Sequence, residues 1–71
     1  MQVSVAYVGD LAQSWLELQV DDSSTVADAI EQSGLLTQFP EINLGTMKVG
    51  IYGKFTKLDK PLQDGDRIEI Y

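Results

Sequence analysis

The side chains that most often carry out chemistry are nearly absent from this sequence. It has no histidine and no cysteine, so an imidazole base, a thiolate nucleophile and a thiolate metal ligand are all missing. Ser4, Ser14, Ser23, Ser24 and Ser33 have no visible partner that would activate a hydroxyl. Carboxylates are paired at Asp21-Asp22 and at Asp64/Asp66, both in polar, turn-like stretches where aspartate is expected to hydrogen-bond the backbone. The Asp64-Gly65-Asp66 stretch is too short to give calcium its usual six or more oxygens. Gly50 and Gly53 follow a strand pattern but open no helix, so they make no phosphate-binding loop. These residues predict no catalytic group, no metal site and no cofactor.

Charge narrows the class of partner. The net charge is −6, and it is unevenly spread. Residues 1–47 hold Asp10, Glu17, Asp21, Asp22, Asp28, Glu31 and Glu41 with no Lys or Arg, which is −7. Residues 48–71 hold Lys48, Lys54, Lys57, Lys60 and Arg67 against Asp59, Asp64, Asp66 and Glu69, which is +1. An acidic chain repels a phosphate backbone and lacks the basic stripe a nucleic-acid binder needs. A protein with a basic surface suits it better. No apolar run approaches the ~20 residues of a membrane span, and MQVSVAYVGD lacks the basic and apolar regions of a secretory signal. The expectation is a cytoplasmic protein, with which the absence of cysteine agrees.

The chain, 71 residues long, is expected to be a single domain over residues 1–71, near the lower size limit for an unstapled core, with a stability of roughly 3–5 kcal/mol. VSVAYV alternates, placing Val3, Val5 and Tyr7 on one face. Gly9-Asp10 reads as a turn. WLELQV alternates again with Leu16, Leu18 and Val20 inward, which makes an antiparallel hairpin. In DDSSTVADAIEQSG, Thr25 is placed to cap a helix of about ten residues, with Asp28 answering in a capping box, Val26, Ala29 and Ile30 inward and Gly34 at the end. LLTQFPEINLG has apolar residues without a clean period and reads as a packed connection, with Pro40 disfavouring helix at Phe39. MKVGIY is a third strand, ended by Gly53; FTKL is a short fourth; RIEIY, after the Asp64-Gly65-Asp66 turn, is the last, with Ile68 and Ile70 inward.

Strand, strand, helix, strand, short strand, strand is the β-grasp order. The fold class is therefore α+β: a ubiquitin-like β-grasp with a mixed four- to five-stranded sheet packed on one helix, the last strand running parallel beside the first. Strand parity leaves Ser4, Ala6, Trp15, Glu17, Lys48, Gly50, Tyr52, Arg67, Glu69 and Tyr71 on the open face. Three of the six aromatics, including the only Trp, fall there, and Trp, Tyr and Arg are enriched at interface hot spots. Trp15, Lys48, Gly50, Tyr52, Arg67, Glu69 and Tyr71 are the candidate protein-binding residues, with Gly50 expected to leave a shallow spot for a partner.

AYV, TVADAIEQSGLL, FPEI, KVGIYGK, KLD and LQDGDRIEIY, in this order and spacing, resemble the RnfH family of small bacterial ubiquitin-like proteins over nearly the whole chain. VGDLAQSW lacks a proline expected at that turn, and LGTMKVG is unusual before the third strand. The resemblance implies one of two roles: an antitoxin-type partner of a small START-like toxin, or an accessory of the Rnf electron-transport complex. Ubiquitin-like sulfur carriers end in Gly-Gly shortly after the final strand, where glycine lets an extended tail enter a narrow cleft. Nothing of that kind follows RIEIY here, so a sulfur-carrier or modifier role is not expected, nor is RNA binding.

Overall fold

A computed structural model describes residues 1–9 and 13–71. The expected turn at Gly9-Asp10 runs into Asp10, which lies outside the described residues. Strand β1 (Gln2–Val8) buries Val3, Val5 and Tyr7, as its alternation requires. Strand β2 (Gln13–Gln19) pairs antiparallel with it in unbroken register from Gln2↔Gln19 to Val8↔Gln13. Leu16 and Leu18 face the helix side but are only half buried, because β2 is the edge of the sheet.

Helix α1 (Val26–Ser33) has eight residues, slightly fewer than expected. Its capping box is complete: the Asp28 N–H donates to Thr25 Oγ1 at 3.3 Å, and the Thr25 N–H donates to Asp28 Oδ2 at 3.0 Å. Two otherwise unpaired N–H groups are satisfied this way. Gly34 ends the helix at φ +77°, a left-handed conformation that needs no Cβ. A one-turn helix, α2 (Leu35–Gln38), follows directly and buries Leu35. It stops at Phe39 (φ −123°), the residue before Pro40, where the proline ring disfavours helical backbone. The irregular stretch beyond it closes one end of the core: Ile42 is buried, and the Phe39 ring packs 4.9 Å from that of Tyr7.

Strand β3 covers only Val49–Ile51, shorter than the MKVGIY pattern. Tyr52 and Gly53 are not strand but a two-residue hairpin turn, both at positive φ (49° and 81°), leading to β4 (Lys54–Phe55). Two positive φ angles give the turn whose twist suits adjoining strands. Strand β5 (Arg67–Ile70) lies between β1, to which it is parallel, and β3, to which it is antiparallel. The order β2-β1-β5-β3-β4 makes a five-stranded mixed sheet, the β-grasp topology.

The core lies between one sheet face and α1. Val3, Val5, Ile68 and Ile70 from the two central strands meet Val26, Ala29 and Ile30 from the helix, all at 2% exposure or less. Ile68 sits opposite Val5 on one side and Ile51 on the other. Truncating it leaves a cavity no neighbour can fill without disturbing both pairings. Ile68→Ala is expected to cost about 2–5 kcal/mol, a large share of the stability of a domain of this size. A urea titration followed by far-ultraviolet circular dichroism checks this.

Candidate protein-docking face

The open face of the sheet is organised by the register. Trp15 is opposite Ala6, Ala6 beside Glu69, Glu69 beside Gly50, and Gly50 opposite Phe55, so one row crosses all five strands. An aromatic stands at each end and a carboxylate in the middle. The adjacent row runs Glu17, Ser4, Arg67, and Tyr52 continues it through its N–H, which donates to the Arg67 carbonyl at 3.1 Å. On the other side, Tyr71 lies just past β5 and its N–H donates to the Lys48 carbonyl at 2.8 Å.

Four aromatics are exposed here: Trp15 at 55%, Tyr52 at 61%, Phe55 at 68% and Tyr71 at 40%. Phe55 is absent from the sequence-derived set. The signal that would have found it is the two-residue turn: once Tyr52-Gly53 is the turn, Phe55 must face the same way as Gly50. Of the expected residues, Trp15, Lys48, Tyr52, Arg67, Glu69 and Tyr71 do share this face. Gly50 lies on it too, but it is buried, which corrects the expectation of a shallow spot. A Cβ there would come 2.9 Å from the Lys54 carbonyl oxygen and 3.5 Å from the Tyr71 ring. The glycine makes room for the protein's own Lys54 backbone across the β3–β4 pair, not for a partner.

The face has two halves. In one, the Tyr71 ring meets Phe55 edge-on at 6.3 Å and 85°, and the Lys48 ammonium lies 4.9 Å from the Phe55 ring. Leu44, Met47, Phe55 and Leu58 line a cleft of about 560 Å³ beside it. In the other, the Arg67 guanidinium stacks 5.6 Å from the Tyr52 ring. An open depression of about 320 Å³ there is lined by Ser4, Trp15, Glu17, Tyr52, Gly65 and Arg67. No described carboxylate lies within ion-pair distance of Arg67; the ion pair formed among the described residues is between the N-terminal ammonium and Asp22, at 3.4 Å. Among the described residues nothing competes with an incoming acceptor for the Arg67 donors.

Glu69 joins the halves. Its Oε1 accepts the Gly53 N–H at 2.6 Å and the Tyr71 hydroxyl at 3.0 Å. One carboxylate oxygen thus fixes both the hairpin turn and the Tyr71 ring. The hydrogen bond to Glu69 raises the Tyr71 phenol above its ordinary value of 10.0, with desolvation and the Glu69 charge acting the same way. Tyr52 is a second clamp. Its backbone is in the left-handed region at φ 49°, a strained conformation for a residue with a Cβ. Its hydroxyl donates to the Gly65 carbonyl at 2.6 Å, tying the β3–β4 turn to the turn that precedes β5.

The Asp64/Asp66 pair is spent on structure. Asp64 Oδ1 accepts the Gln2 N–H at 2.8 Å, and Asp66 Oδ2 accepts the Gln63 N–H at 2.8 Å. Ser24 is buried, and its carbonyl accepts the Leu62 N–H at 3.0 Å. Among the described residues, no serine hydroxyl is hydrogen-bonded to a carboxylate.

Fold and face define a ubiquitin-like β-grasp domain with an aromatic-rimmed open sheet. The crystal structure of SAMP1 from Haloferax volcanii superposes with a TM-score of 0.77 over 100% of this chain and 93% of that one, at 19% identity. Subunit 1 or 2 in the protein–protein complex of the molybdopterin-converting factor from Helicobacter pylori superposes at 0.65, covering 99% of this chain and 90% of that one, at 23% identity. Within this class, the chain belongs to the RnfH family of ubiquitin-like proteins, whose pattern it matches over residues 1–71. It is 55% identical to Protein RnfH of Rhodobacter capsulatus over 71 residues, covering 100% of this chain and 84% of that protein. It is 54% identical to Protein RnfH of Methylococcus capsulatus, covering 100% of this chain and 75% of that one.

Two outcomes follow from the clamps. Tyr52→Phe keeps the ring but deletes the bond to Gly65, and is expected to cost about 1 kcal/mol, seen as a lower urea midpoint with unchanged slope. Below pH 10 the Tyr71 phenol keeps its proton whether the chain is folded or not, so its bond to Glu69 stabilises fully. That stabilisation disappears as pH rises through the elevated folded value. Glu69→Gln should bring the Tyr71 ionisation back toward the ordinary value, read by phenolate absorbance against a Tyr71→Phe reference.

Proposed function

We propose that this protein is a non-enzymatic module that acts by docking another protein on the open face of its sheet. The observation that carries this reading is the concentration of Trp15, Tyr52, Phe55, Tyr71 and Arg67, which has no carboxylate partner among the described residues, on the face of the sheet opposite the core. Aromatic and arginine side chains are the common anchors of interface hot spots, and four exposed large aromatics on so small a domain call for a partner. The solved protein–protein complex of the Helicobacter pylori molybdopterin-converting factor gives a precedent in the same fold. The likeness to that protein and to SAMP1 concerns the fold, and their activities are not carried over.

Within this reading the preferred partner is a small START-like toxin, for which the chain serves as the antitoxin-type binder in the cytoplasm. Support comes from the charge map: −7 over residues 1–47 suits a soluble partner with a basic surface. Among the described residues no helix is long and apolar enough to cross a membrane, which fits a role without membrane insertion. The same charge disfavours nucleic acid.

Trp15 is the only tryptophan, so fluorotryptophan incorporated into this chain alone reports on a single site. Titration with the purified START-like protein of the same organism should shift the Trp15 fluorine resonance. Arg67→Ala and Phe55→Ala should each weaken binding by about tenfold or more with little change in melting temperature, and raised salt should weaken it further. A resonance that stays put at saturating partner, with both variants binding normally, would overturn the docking face. Recovery of the native chain with membranes, and not with the soluble protein, would favour the Rnf-complex accessory role over the antitoxin one.

A further inference from the structure

The sheet has two edges, and they are managed differently. The β4 edge is two residues long. The β2 edge runs for seven residues in regular register, without a bulge, a proline or a lysine, the devices by which natural proteins blunt an edge.

The hydrogen-bond phase shows which groups it offers. Met1 and Val20 exchange both backbone bonds, at 2.8 and 2.9 Å. Alternation along an antiparallel pair then turns the N–H and C=O of Leu18, Leu16 and Ser14 toward β1. Those of Gln19, Glu17, Trp15 and Gln13 turn outward. The β1 side agrees: the Ser4 N–H donates the other way, to the Asp66 carbonyl at 3.0 Å. The Gln19 carbonyl is taken by the Gln32 side chain at 2.6 Å. Among the described residues, the outward groups of Trp15 and Glu17 have no partner.

The surroundings define what fits. Leu16 and Leu18 are half exposed on the helix side of this edge, and Glu17 is exposed on the other. Gln32, at the end of the edge, also lines a groove with Asp21, Asp28 and Glu31. No base occurs anywhere in residues 1–47. A second copy would bring the same acids against themselves.

We propose that the outer edge of β2 is a strand-pairing site for an extended segment of another protein, in which apolar residues alternate with basic ones. The apolar side chains complete the cover of Leu16 and Leu18, and the basic ones, which strand alternation puts on the opposite side, meet Glu17. Main-chain bonds to Trp15 and Glu17 hold the segment, and the alternating side chains select it. The site uses the sheet's rim and does not require the open face to bind anything.

The test is residue-resolved amide exchange with a synthetic peptide of alternating lysine and valine, about as long as β2. At saturating peptide the Trp15 and Glu17 amides should exchange at least about tenfold more slowly, while those of Leu16 and Leu18, already bonded to β1, stay as they were. Glu17→Lys should weaken the peptide by about tenfold. Glu17→Pro removes an outward N–H that β1 does not use, and should abolish pairing while the fold survives. The idea fails if neither edge amide slows, or if a glutamate–valine peptide binds equally well. It also fails if protection appears without peptide as protein concentration rises. Peptide-induced shifts confined to Phe55, Arg67 and Tyr71 would likewise reject the edge, yet leave the open-face reading standing.

Discussion

Everything in this structure depends on β5 being held on both sides. Its four residues pair with β1 through Ser4–Tyr7 and with β3 through Val49–Ile51. Ile68 and Ile70, both at 0% exposure, form the centre of the core that α1 covers. Without β5, the β1–β2 hairpin and the β3–β4 hairpin are two separate pieces, neither with enough apolar cover to persist in water. The same strand supplies Arg67 and Glu69 to the opposite face. Core and candidate docking surface are thus the two sides of one short strand.

That arrangement explains the layout of the face. Glu69 is central, but it is committed to Gly53 and Tyr71, so it organises the groups around it. The aromatics at the rim are available because their neighbours in the row, Ala6 and Gly50, are small. The Tyr71 ring lies against Gly50 and meets Phe55 edge-on. The result is an aromatic corner beside an open, more polar depression, where Arg67 stacks on Tyr52.

Much of the fold is legible in the sequence where a single local rule decides it. Val3, Val5 and Tyr7 alternate because one face is buried, and Thr25 with Asp28 can hardly be read other than as a cap. The element order then leaves the β-grasp as the natural closure. The stretch from Leu35 to Met47 resists such reading, since its apolar residues answer to the shape of the core's open end and follow no period. The candidate site was legible in part, because strand parity places Trp15, Arg67 and Glu69 correctly. It places Gly50 on the right face but does not foresee its burial, which comes from the Lys54 backbone and the Tyr71 ring closing around it, a tertiary event without a local signature. Tyr52 in a left-handed turn runs against local preference, where Asn or Gly is usual; its hydroxyl bond to Gly65 shows what tertiary contact compensates. Phe55 was missed for the same reason, because its direction depends on that turn.

The parallel pairing of β1 with β5 also bears on how the molecule forms. The first strand in the chain must wait for the last: Gln2 and Asp64, which bond across this junction, are 62 residues apart. Until then β1 has β2 on one flank and an unfilled edge on the other, and β3 is equally incomplete. Loop closure on this scale comes before most of its reward, which slows folding relative to a helical domain of equal length. During synthesis the Val3–Val5–Tyr7 stripe therefore stays incompletely covered until β5 has emerged. The −7 carried by residues 1–47 opposes the approach of two such unfinished chains.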